Sequence, residues 1–541
     1  MPRSDNPKQR KVLPSILSLL RYCVVSVLVV ACSGAAHRDA NTLTLLIESN
    51  PSNLDPRFAT DAQSQHLDGL LFDSLVERDD EMALHGDLAE SWETPDPLTY
   101  VFHLRHGVTF HDGSSLTSAD VKFTFDYIRD ISKRSPKRGN FSSVASVDAP
   151  DPATVIVHLK VPDASFLWNL CRGAIGIVPA GAGPEFAQHP MGTGPFRFVS
   201  QAQDDDVVLA RNEGYFGGAP PLATLRVRVV PDAIVRALEL RKGSADVEIS
   251  SLSPDMIPVL AKQRDLAVTH RSGTNVNYLG FNLDDPLVAR REVRQALAYA
   301  TDRQAIIRYL LHGEAQIAES VMPPTHWAYE ANVPHYAADP VRAANLLDAA
   351  GFPAQKDGLR LHLVLKTSTE EQARLIAAAL QQQWRQVGID LEVRPLEFAT
   401  LLSDSIKGNF QINLLRWVGV NNDPDVFDYV YSSTRIPPNG GNRARYHNAE
   451  VDALTAQIKI EMDQDKRKQL CSQVQKLVAG DLPIFPLWFV DAVSVHRRTL
   501  GDLNLSPTGD FDFLATLSPN GSVTAPAVSA ELPAHPGSQA N

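Results

Sequence analysis

Residues 87–128 pack a strand, two turns and a helix into one short run, and that order restricts the fold more than any bulk property of the chain. Tyr100, Phe102 and Leu104 alternate with Val101, His103 and Arg105, the period-two pattern of a strand with one apolar face. Gly107 permits a first turn and Asp112-Gly113 a second. Thr117, with Asp120 three residues later, has the form of a capping box and predicts a helix. In that helix Val121, Phe125 and Ile128 share one buried stripe.

The same alternation of strand and helix periods continues downstream. Leu43 to Ile47 reads as a strand left through a turn at Asn53-Leu54-Asp55-Pro56. Asp339-Pro340 opens a helix carrying Leu346, Leu347 and Ala350, with Gly351 after it. Ser368 and Glu371 have the spacing of another capping box, before Ile376, Leu380, Trp384 and Val387 and a stop at Gly388. Ile389, Leu391 and Val393 then alternate with Asp390, Glu392 and Arg394 as a strand. Alternating units of this kind give an α/β protein.

At 541 residues the chain exceeds the roughly 250 to 300 at which a single core stops growing, so more than one lobe is expected. A hydrophobic fraction of 44% and a charged fraction of 21% fit a soluble body. The formal charge of -12 gives no broad basic surface, which argues against nucleic acid as a partner. At the amino end Arg3, Lys8, Arg10, Lys11 and Arg21 precede a short apolar run over 22–31. That run is too short to span a bilayer and has the composition of an export signal over 1–31. Val29-Val30-Ala31-Cys32 resembles a lipobox with Val29 where Leu is commonest, so Cys32 is the expected lipid attachment point. Residues 32–41 suit a flexible tether, and residues 519–541 have the composition of a disordered tail.

Catalytic signatures are missing from the sequence. There is no Gly-x-Ser-x-Gly, no His-Glu-x-x-His and no Walker-type loop, and Gly192-Thr193-Gly194-Pro195 lacks the lysine and the glycine spacing of a phosphate cradle. Its small residues instead suit close passage of one backbone past another. His103, His106 and His111 with Asp112 offer metal-ligand chemistry, but a strand face and a turn separate them. A metal-dependent hydrolase built there is the alternative reading, and no metal or cofactor is expected. Cys171 and Cys471 lie in the exported body, where they are either a disulfide or two buried thiols.

The ordered run Ala89-Glu90-Ser91-Trp92, Phe110-His111-Asp112-Gly113 and Leu116-Thr117 resembles the extracytoplasmic solute-binding proteins of peptide and nickel ABC transporters. Further markers follow in the family's order: Gly192 to Phe196, Asn277 to Asn282, Val293 to Leu297, Asp423-Pro424, Tyr446-His447-Asn448 and Pro483 to Leu487. The resemblance implies a two-lobed periplasmic-binding-protein fold of type II, cluster C, with an extra subdomain on the first lobe. Carried onto this chain, the first lobe takes 42–60, 191–273 and 484–518, its subdomain 61–190, and the second lobe 274–483. It further implies a monomeric, periplasmic, membrane-anchored lipoprotein that binds a peptide-like or other small polar solute and serves an ABC permease and ATPase, or a solute sensor that does not transport.

The ligand residues implied by the resemblance centre on Trp417. Peptide-binding relatives carry an Asp three residues after this Trp to pair with the peptide's α-amino group, and this chain has Val420 there. Asn421, Asn422 and Asp423 follow as polar candidates, with Asp423 or Asp425 able to compensate for the lost charge. Thr367, with Lys366 beside it, aligns where dipeptide-type relatives place an Arg for the peptide carboxylate. The expected ligand-binding set is therefore Thr367, Trp417, Val420, Asn421, Asn422 and Asp423.

Overall fold

The computed structural model describes residues 41–79, 82–171, 173, 175–201, 206–419 and 423–518. The signal, Cys32 and the tail lie outside these, as do Val420, Asn421 and Asn422. Among the described residues no helix is long and apolar enough to cross a membrane.

An eleven-stranded mixed sheet is the spine of the molecule. At one end run Ile389–Leu396, Leu361–Ser368 and Ile412–Trp417; at the other run Val247–Ile249, Thr42–Ile47, Thr224–Val229, Asp206–Arg211 and Phe196–Gln201. Two long antiparallel strands, Leu266–Phe281 and Ile484–Arg497, join the two ends. Their register runs from Leu266 opposite Arg497 to Gly280 opposite Ile484 and is interrupted between Arg271 and Asn275. Gly273 lies in that interruption, where a Cβ would meet the carbonyl oxygen of Val490, so only glycine lets the strands pass this closely.

The cores divide in the same way. Leu279, Phe281, Leu363, Ile376, Trp384, Leu487 and Trp488 pack in one cluster, and Leu43, Leu45, Phe196, Leu225 and Val247 pack in another. A third cluster lies under a separate four-stranded sheet of Ala89–Asp96, Thr99–Leu104, Thr154–Leu159 and Val144–Asp151, covered by the helix Ser118–Arg129. Tyr100, Phe102 and Leu104 are buried here with Val121, Phe125 and Ile128, as the alternation and the stripe predict. Thr117 and Asp120 form the reciprocal capping box.

Asp339 caps the helix Pro340–Ala349 through the Arg342 N–H at 2.9 Å, with Pro340 in its first turn. Ser368 departs from expectation. It remains in the strand, paired with Leu396, and the following helix begins at Glu371 with Glu370 at an N-cap that makes no side-chain hydrogen bond. Parallel pairing along all eight residues of Leu361–Ser368 holds the chain extended through the predicted cap.

Candidate ligand-binding cleft

Beside the two long paired strands, a cavity of about 410 Å³ opens between the halves of the sheet. Asn277, Trp488, Val490 and Asp491 line it from those strands, Glu48, Glu248 and Ser250 from one half, and Glu370, Gln372 and Arg416 from the other. A second cavity of about 240 Å³ shares Asn277, Glu370, Gln372 and Arg416 with it.

Arg416 sits at the centre of this arrangement. In the strand Ile412–Trp417 it is the one exposed residue, the others being buried. Its Nε donates to Asn277 Oδ1 at 2.9 Å. The terminal nitrogens have no partner among the described residues, and no carboxylate comes within 4.0 Å. The side chain keeps contact with water through the cavity while protein crowds its charge from the sides. That crowding pushes the guanidinium pKa down, and Glu370 pulls it back up.

The facing wall is acidic. Glu248 is 1% exposed, and burial raises its carboxyl to about 7, pushed further by Glu48 and restrained by Arg236 and Ser251. Ser251 donates both its N–H and its hydroxyl to Glu248 Oε1 at 2.5 Å. Asp491 is raised to about 6 by burial and by Glu314, against His270 and the Gly273 N–H, and its Oδ1 accepts no hydrogen bond. Arg236 carries the cavity's other guanidinium. It donates to the carbonyls of Val230 at 2.6 Å and Pro231 at 2.9 Å, and to that of Ser251. Trp488 is fully buried, and its indole nitrogen has no acceptor.

Of the sequence-predicted residues, Trp417 adjoins Arg416 but forms the wall behind it. Its ring stacks on Tyr278 at 5.5 Å and 11°, meets Tyr429 edge-on at 6.0 Å and carries the Arg443 guanidinium at 4.1 Å. Asp423 is committed elsewhere: Arg467 grips it bidentately at 2.9 and 2.8 Å, and Ser165 donates to it at 2.6 Å. Asp425 is raised to about 6 by burial, with Lys459 at 3.9 Å. Thr367 is fully buried on the core face of its strand, with no partner for its hydroxyl. Lys366 points the other way, to Asp404 at 2.8 Å. Neither Asp423 nor Thr367 lines the two cavities. Sequence reasoning passed over Arg416 as a site residue; the signal was the one charged residue in an otherwise uncharged strand, next to the tryptophan.

The histidine turn is structural. The Gly192 N–H donates to His111 Nδ1 at 3.2 Å, and His111 Nε2 lies 3.1 Å from the Gly194 carbonyl, so one neutral tautomer satisfies both. Burial lowers its pKa to about 4, which keeps the ring neutral. A Cβ at Gly192 or Gly194 would strike the backbone of Leu71, the close passage that the small residues suggest. Among the described residues no group of three or more His, Cys, Asp or Glu side chains could hold a metal ion. Cys171 and Cys471 are buried free thiols in different cores, both pushed by burial to about 12.

Residues 83–438 match the family described as bacterial extracellular solute-binding proteins, family 5. The chain belongs to this family. Among its relatives, di/tripeptide-binding protein 1 of Pseudomonas aeruginosa is 29% identical, over 87% of this chain and 93% of the relative. Heme-binding protein A of Haemophilus influenzae is 30% identical, over 74% and 78%. A periplasmic ABC transporter-associated binding protein of Helicobacter pylori, solved with the peptide STSA, superposes with a TM-score of 0.73 at 27% identity, covering 88% of this chain and 97% of that one. The family 5 architecture is the two-lobed binding-protein fold, and the chain is the solute-binding protein of an ABC importer, not an enzyme. Members of the family are periplasmic binding proteins.

Proposed function

We propose that this family 5 protein traps a small polar, peptide-like solute in the cavity between its two lobes and presents it to an ABC permease and ATPase. One observation carries the reading: a single cavity takes its walls from both halves of the sheet, beside the two paired strands that join them. A solute that touches both walls favours the form in which they are close, so binding shifts a hinge equilibrium toward closure. Gly273 and the interrupted register beside it supply the pivot. The first lobe then comprises 42–60, 191–273 and 484–518, with 61–190 as its subdomain, and the second lobe comprises 274–483. In this reading Trp417 backs the cation, and Asp423 is held by Arg467. The protein acts as a monomer held to the membrane by lipid on Cys32.

Native mass spectrometry of gently purified protein is the test. The expected result is a complex heavier than the denatured chain by the mass of one small solute. Protein that carries no solute, and binds none from a panel of peptides and amino acids, overturns the proposal.

A further inference from the structure

Resting on that reading, the cleft also specifies the chemistry of its solute. We propose that the solute is a zwitterion whose anionic group sits on Arg416 and whose ammonium faces Glu48, Glu248 and Asp491.

Three independent features support this order of charges. Arg416 is aimed by one bond from Nε to Asn277, and among the described residues neither terminal nitrogen has a partner, which leaves the fork that grips a carboxylate with two parallel hydrogen bonds. Carboxylates outnumber cations on the facing wall, where Arg236 donates to the carbonyls of Val230, Pro231 and Ser251, and Asp491 Oδ1 has no donor, so that wall favours a positive group. The buried Trp488 indole N–H lacks an acceptor, which a backbone-like carbonyl of the solute supplies. A purely anionic solute would face the unpaired carboxylates, and a purely cationic one would face Arg416. A molecule with both charges satisfies both walls, and the span makes a contact to each lobe obligatory.

The probe is alanyl-alanine, with its C-terminal amide and its N-acetyl form, titrated by calorimetry into protein freed of retained solute. The wild type is expected to bind the free dipeptide about tenfold or more tightly than either blocked form. In Arg416→Gln the preference for the free carboxylate over the amide should vanish while the preference for the free amine persists, with Arg416→Lys restoring part of the loss. Glu248→Gln combined with Asp491→Asn should show the converse. Equal binding of acid and amide by the wild type overturns the inference, as does unchanged discrimination in Arg416→Gln. Failure of all three probes overturns it as well. If the untreated protein still carries a solute by native mass spectrometry, the receptor reading survives that failure; if it carries none, both fall.

Discussion

At the scale of single residues, the main distinction is between charges used to hold the protein together and charges left free for a ligand. Asp423 and Arg467 are of the first kind, nearly buried and matched in two hydrogen bonds. Removing one partner strands the other charge, so Arg467→Met is expected to lower unfolding stability by about 3 to 5 kcal/mol in urea titrations. Replacing both residues with apolar ones should recover much of that loss. Glu248 is of the second kind, and its titration has a defined sign. Its carboxyl is raised from 4.5 to about 7 by burial, so from pH 4.5 to about 7 the unfolded chain gives up its proton first. The contribution is fully present below that window and disappears as pH rises through it, by as much as ~3 kcal/mol, and Glu248→Gln should flatten the curve of stability against pH. Ligand affinity should move the opposite way, since an ammonium prefers the ionised carboxylate. Sequence reading followed Asp423 beside Trp417, whereas the neighbouring charge that lines the cavity is Arg416. Asp423 has the residue type of an anchor, and only packing reveals that Arg467, forty-four positions away, already uses it.

At the scale of elements, local patterns were legible wherever local chemistry decides the outcome. The strand at Tyr100, the box at Thr117 and the cap at Asp339 all depend on neighbours within a few residues, and all form as read. Ser368 failed because pairing with a strand some thirty residues on, at Leu396, outweighed a capping signal. The passage of Gly192 beside Leu71 gives this scale its prediction. A methyl group there runs into a backbone carbonyl that cannot yield, and Gly192→Ala should lose about 2 kcal/mol or more. Gly139, whose Cβ position is open, should tolerate alanine within ~0.5 kcal/mol. Thermal melts of the two variants would separate local crowding from a general cost of replacing glycine.

At the scale of the whole molecule, length and alternation announced more than one core and an α/β class, and the family relation supplied two lobes around a cleft. Which side chains meet in that cleft was not legible, because Glu48, Glu248, Arg416 and Asp491 come from four distant segments and become neighbours only through the pairing of strands far apart in the chain. A solute held by Arg416 on one wall and by Glu48, Glu248 or Asp491 on the other couples the lobes. A crystal structure of the protein purified with its solute retained tests this most directly. The account predicts one molecule in the cavity, its anionic group on Arg416 and its cationic group against Glu248 or Asp491. A solute confined to one wall, or bound outside this cavity, would contradict it.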